Sequence, residues 1–267
     1  MNWKEFIQNK NRLFKKNYTA APLYAKVVSH RITPFLVYAS LKLNLKPDQV
    51  TLISLVIGWV ASFLFIFPSR EMVLIAALGL EGYYLFDSVD GQLARYTGQT
   101  SKTGAFFDVL LNYLVHPLPF VFIGLNQYQV TGNVGFVFCG ALASLSSIWL
   151  GLMWNVRAHV LLEPLSGKGI VPARHEGEAE LNPLEAGRKG KILRRIFSWL
   201  HKVCTFPTTM NLLTIFAFLE WITGRLDLYS GLLFFYSLAL PFVSLSKIAK
   251  WIWTRELDTE WHRVKGD

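Results

Sequence analysis

The chain has 267 residues, of which 52% are hydrophobic and 15% aromatic, and it carries a formal net charge of +9. That length would allow one or two soluble domains, but residues 50–68 and 134–156 contain no charged side chain at all. A run of about 20 apolar residues is what a helix needs to cross hydrocarbon. The composition therefore indicates a polytopic membrane protein. It excludes a nucleic-acid binder, because the basic residues line the ends of apolar spans and no recognised nucleic-acid fold is present.

Residues 1–49 come first. Their opening is polar and basic, without the apolar core of a cleavable signal peptide. Residues 23–43 follow, with Lys26, Arg31 and Lys42 set among apolar residues as in a helix lying in the membrane interface. Six spans are then expected, at 50–68, 72–94, 104–125, 134–156, 206–224 and 228–246. A polar loop, 157–205, separates the fourth span from the fifth, and 247–267 forms a tail. The fold class expected is an all-α integral membrane protein: six transmembrane helices plus an N-terminal interfacial amphipathic helix. Its parts are a 1–49 cytoplasmic segment, a 50–246 six-span domain and a 247–267 cytoplasmic tail.

Lysine and arginine set the orientation, because cytoplasmic loops retain them. Nine fall in 1–49, two in 95–103, nine in 157–205 and five in 247–267, which puts 25 of the 27 on one side. Both termini are thus expected in the cytoplasm, in a membrane of the bacterial cytoplasmic type. The acceptor-like tripeptide Asn17-Tyr18-Thr19 then lies on the wrong side for glycosylation. A second basic amphipathic segment, KILRRIFSWLHKV, places Ile192, Ile196 and Leu200 at helical spacing with Arg194, Arg195 and Lys202 off that face. Both segments are expected to meet anionic membrane lipids. Cys139 and Cys204, both at membrane depth, read as packing residues instead of a disulfide or metal framework.

Charged groups inside a span are costly and face a cavity, a partner or an ion. Asp87 and Asp90 stand three apart on one helix face, continued by Gly91, Ala94 and Arg95. On the next span Gly104, Asp108, Asn112 and His116 recur every fourth residue and form one stripe. A short connection between the two spans brings these faces together. Three carboxylates in such a setting need a cation, and hard oxygen ligands suit Mg2+, with Mn2+ in its place as the variant. Gly91 and Gly104 would let a phosphate approach the backbone. The competing readings are a capping or Arg95-paired aspartate, a proton relay, and the ion site of a transporter. Glu81 falls on another side of its helix, and Glu220 is expected at the outer rim. Arg157 reads either as a contact for an acceptor phosphate or as a topology-setting charge. RHEGEAE at 174–180 lacks zinc-protease spacing.

Residues 87–112 resemble the motif of the CDP-alcohol phosphotransferases, D-x2-D-G-x2-A-R-x8-G-x3-D-x3-D, with Asp87, Asp90, Gly91, Ala94, Arg95, Gly104 and Asp108 in register. Upstream, KPDQVTLISLVIG is similar to the PNxxT opening of that family's first span, with Asp48 where Asn is usual. The resemblance implies a transferase that takes a CDP-linked donor and an alcohol or lipid acceptor, releases CMP and works in phospholipid biosynthesis. It implies that Asp87, Asp90 and Asp108 hold one or two divalent cations. Gly91, Ala94, Arg95 and Gly104 would shape the CDP pocket. Family members form dimers, so a homodimer is compatible. The departure is Asn112, where the family has an aspartate commonly assigned as general base. An amide takes up no proton at neutral pH, although it offers a carbonyl oxygen. His116, one turn further along the stripe, is the alternative base or a packing residue. The contrasting reading is a catalytically degenerate CDP-lipid-binding protein.

Overall fold

In a computed structural model the described residues are 3–9, 13, 31–166, 188–255, 257–258 and 261. The 23–30 part of the expected interfacial helix, Asn17 and the 174–180 loop lie outside them. The described residues form α-helices and turns, with no strand among them. In chain order the helices are α1 (Trp3–Gln8), α2 (Thr33–Lys42), α3 (Pro47–Leu64), α4 (Arg70–Thr97), α5 (Lys102–Val115), α6 (Leu118–Thr131), α7 (Gly135–Ser166), α8 (Arg188–Val203), α9 (Thr208–Thr223) and α10 (Leu228–Thr254).

Local chemistry sets the boundaries of these helices. Pro47 occupies the first position of α3, where its missing N–H costs nothing. The Ser101 hydroxyl accepts a hydrogen bond from Gly104 N at 2.8 Å and starts α5. Glycines in the left-handed region, Gly98, Gly132 and Gly224, end α4, α6 and α9. Pro117 separates α5 from α6, since proline can neither donate to the preceding turn nor clear its carbonyl.

Among the described residues five segments are long and apolar enough to cross a membrane: Pro47–Leu64, Arg70–Thr97, Lys102–Thr131, Gly135–Val160 and Leu228–Thr254. A sixth arises when Arg195–Val203 and Thr208–Thr223, bent by 69°, are taken as one span. The chain thus has the all-helical, multi-pass architecture expected. The second and last spans run further than hydropathy indicates. α10 continues past Lys247 because that side chain is 4% exposed, with its Nζ 4.2 Å from the centre of the Trp154 ring.

α3 and α4 pack most extensively, α7 is gripped by α6 and α10, and α9 lies on α4. The main core runs through Ala76, Ala77, Leu80, Met210, Leu213, Tyr236 and Val243. A smaller one joins Phe6 of α1, Val37 of α2, Val50 of α3, and Val89 and Leu93 of α4. Trp3 of α1 stacks on Phe35 of α2 with ring centres 5.0 Å apart. α5, in contrast, packs on α3 and scarcely touches α4 along its length.

Candidate active site

That packing leaves few close contacts between α4 and α5, and the seam between them is the candidate cleft. Its floor is closed at Gly58 of α3, where a Cβ would sit 2.6 Å from Val115 Cγ1 and 3.0 Å from Tyr83 Cδ2. A bare glycine is required there for α3 to reach both neighbours. Just above, the Tyr83 hydroxyl of α4 donates to Asn112 Oδ1 of α5 at 3.0 Å and lies 3.4 Å from His116 Nε2. One turn above Tyr83 and Asn112 stand Asp87 and Asp108, and a further turn up are Asp90 and Gly104.

The three carboxylates lie within electrostatic reach of one another. Asp90 is 6% exposed; its Oδ2 accepts from Thr51 Oγ1 of α3 at 2.6 Å, and its Oδ1 accepts from the Gly91 amide. Asp87 is half-buried and, among the described residues, accepts no hydrogen bond and forms no ion pair. Arg95 Nε donates to the Leu13 carbonyl at 2.8 Å, and its guanidinium passes over Gly91, 3.3 Å from where a Cβ would stand. Gly104 faces Asp48, whose Oδ1 would be 3.9 Å from a Cβ there. Ala94 is half-buried on the α4 face.

A divalent cation matches this donor set chemically: every donor is a hard oxygen, and the carboxylates repel one another, with Asp87 lacking a partner among the described residues. Among the described residues no three His, Cys, Asp or Glu side chains are gathered tightly enough to enclose an ion. The acids line the two walls of a cleft instead of a closed cage.

The stripe on α5 divides in two. Asn112 is committed at both ends of its amide: Oδ1 accepts from Tyr83 and Nδ2 donates to the Asp108 carbonyl at 2.9 Å. His116 stacks on Phe206 at 3.7 Å between ring centres and lines a cavity of about 180 Å³ with Trp154, Cys204 and Thr209. Among the described residues its side chain approaches the acids by way of the Tyr83 hydroxyl.

Two residues of this arrangement carry no role in the sequence reading. Thr51 is the threonine of the PDQVT stretch, and Tyr83 stands one turn before Asp87; both spacings are visible in the sequence. Glu81 turns away from the cleft and accepts from Thr214 Oγ1 of α9 at 2.9 Å. Glu220 corrects the expectation of a rim residue: it is 1% exposed, and its Oε1 accepts from Tyr229 N at 3.0 Å, capping α10 across the α9–α10 turn. Arg157 lies 5.1 Å from the ring centres of both Trp154 and Trp251.

A family model described as CDP-alcohol phosphatidyltransferase matches residues 44–218. An uncharacterized protein of Aquifex aeolicus (strain VF5) is 34% identical over 106 residues, covering 40% of this chain and 52% of that protein. The match thus spans about half the length of that curated relative. Among solved structures, Mycobacterium tuberculosis phosphatidylinositol phosphate synthase (PgsA1), solved with CDP-DAG bound, is 17% identical with a TM-score of 0.49, covering 82% of this chain and 92% of that one.

Proposed function

The chain belongs to the CDP-alcohol phosphatidyltransferase family, and from that premise we propose that it transfers a phospho-group from a CDP-linked donor to an alcohol acceptor in phospholipid synthesis. Members of the family are transferases of substituted phosphate groups and generally use divalent metal ions. In this reading an acceptor hydroxyl oxygen forms a bond to the phosphorus distal to cytidine. The bond from that phosphorus to the bridging oxygen breaks, CMP departs with the electron pair, and the hydroxyl proton goes to a base. Both termini and the α4–α5 connection face the cytoplasm, as the distribution of basic residues supports.

The observation that carries the proposal is the convergence of the acids: carboxylates of α4 and α5 lie within electrostatic reach of one another where those two helices make few close contacts. Asp87, Asp90 and Asp108 would hold Mg2+ or Mn2+. Such an ion, when bound, neutralises diphosphate charge and polarises the phosphorus–oxygen bonds. Thr51 fixes the Asp90 carboxylate in orientation. Gly91, Ala94 and Gly104 would line the walls for the nucleotide diphosphate with little side-chain bulk, and Arg95, tethered to the Leu13 carbonyl and lying over Gly91, keeps a positive charge beside them. Positioning and electrostatics of this kind supply most of the catalysis in phosphoryl transfer.

Asn112 holds no proton-accepting lone pair of useful basicity, and both ends of its amide are engaged in hydrogen bonds. On the α5 stripe His116 is the remaining imidazole, and because Tyr83 donates its one proton to Asn112 Oδ1, His116 serves as the base only once that hydroxyl turns toward Nε2. The second reading, a CDP-lipid binder without turnover, has this engagement of Asn112 in its favour. The two are separated by CMP release from purified protein in detergent, with Mg2+ or Mn2+, across CDP-linked donors and alcohol acceptors. Acceptor-dependent CMP release, lost in Asp108→Asn, is the result expected. A silent wild type beside an active Asn112→Asp variant would replace the enzyme with the binder.

A further inference from the structure

α8 carries six Lys or Arg residues and no Asp or Glu. Its 69° bend from α9 sets it well away from the crossing direction, so where α9 traverses the bilayer α8 runs closer to the plane of the surface. By the alternation of the spans it lies at the same end of the bundle as the α4–α5 connection. One side of α8 faces the protein. Val203 is buried, Phe197 and Leu200 are half-buried, and His201 Nε2 is 2.9 Å from Lys247 Nζ of α10.

The other side presents Arg195, Ile196, Trp199 and Lys202, with Ile196 57% and Trp199 61% exposed. The spacing of three and four residues makes them one stripe. Leu200, grouped with Ile196 on a single apolar face by sequence spacing, turns inward; Ile196 turns outward. At the same end the last turn of α10 leaves Ile252 69% and Trp253 86% exposed.

Water would leave Ile196 and Trp199 uncovered, and hydrocarbon would strand Arg195 and Lys202. The boundary between them satisfies all four, with the apolar side chains entering the acyl edge and the long cationic ones reaching back to the headgroups. The absence of any acid along α8 gives that boundary a sign, because basic segments are attracted to anionic headgroups by about 1 kcal/mol per residue. We propose that the Arg195–Ile196–Trp199–Lys202 stripe of α8 is a docking surface for anionic phospholipid, continuous with the lipid-facing surface of the spanning helices. The proposal stands independently of whether the chain turns over a substrate.

The test uses the full chain in nanodiscs of phosphatidylcholine alone and of phosphatidylcholine mixed with phosphatidylglycerol, with hydrogen exchange read along α8. Exchange in α8 is expected to slow about tenfold in the anionic discs and to return toward the zwitterionic rate at high salt. The Arg195→Glu/Lys202→Glu double variant is expected to lose most of that difference between the two lipids. Unchanged exchange in α3 and α4 shows that its fold is retained. Equal α8 protection for the wild type in both lipids would overturn the proposal, and so would protection that survives charge reversal. Protection that follows the number of protein copies per disc instead of the anionic lipid would also overturn it, by making a second copy the occupant.

Discussion

At the scale of single residues, the acids depend on two neighbours that are themselves neutral. Thr51 Oγ1 donates to Asp90 Oδ2 at 2.6 Å from another helix, so Thr51→Val frees that carboxylate to rotate away from Asp87. A hydrogen bond to a charged group contributes about 1.5–3 kcal/mol. Thr51→Val is therefore expected to weaken binding of a CDP-linked donor at least tenfold and to lower the melting temperature as well, as calorimetry and a melting curve would show. Tyr83→Phe acts differently. It removes the donor to the half-buried Asn112 Oδ1, and leaving such an acceptor unmet costs up to about 1–3 kcal/mol. The variant is expected to melt several degrees lower in detergent, and unaltered melting would show that the bond contributes little. The carboxylates and glycines were legible from their spacing. Tyr83 was not, because a tyrosine in an apolar span has the same appearance whether it packs or holds a polar side chain.

At the scale of elements, α6 and α7 approach through facing glycines. A Cβ on Gly124 would lie 2.7 Å from the Phe136 carbonyl oxygen, and one on Gly140 would lie 2.6 Å from that of Phe120. Both obstacles are backbone and cannot step aside, which is the small-residue contact that lets membrane helices pack closely. Gly140→Leu is expected to lower stability by about 1–3 kcal/mol or more by overpacking, read as a lower melting temperature with the aggregation onset moved down. A variant as stable as wild type would show that the helices separate freely. Span identities were readable because an uncharged run of this length suits little besides a membrane crossing. Their ends were not. Lys247 reads as an exit from the membrane, yet its ammonium sits over Trp154 and beside His201 within the bundle. Glu220 reads as a rim carboxylate, yet it caps α10 from nine residues away. Both depend on partners that only the tertiary fold supplies.

At the scale of the whole molecule, the sequence carries the family and the all-helical, multi-pass architecture, and it leaves open how the two acid-bearing helices meet. A short connection between α4 and α5 implies that they pack directly; instead α5 leans on α3 and makes few close contacts with α4, so the seam between them is the candidate cleft. That separation explains why the acids form two walls and not a cage, and it gives a nucleotide diphosphate somewhere to enter. The measurement that tests this most directly is calorimetric titration of the purified protein with a CDP-linked donor, with and without Mg2+, in the wild type and in Asp108→Asn. Binding that requires Mg2+ and is lost in Asp108→Asn is the predicted result, and it holds for enzyme and binder alike. Binding of equal strength without the ion, or in the variant, would contradict the assignment of the cleft.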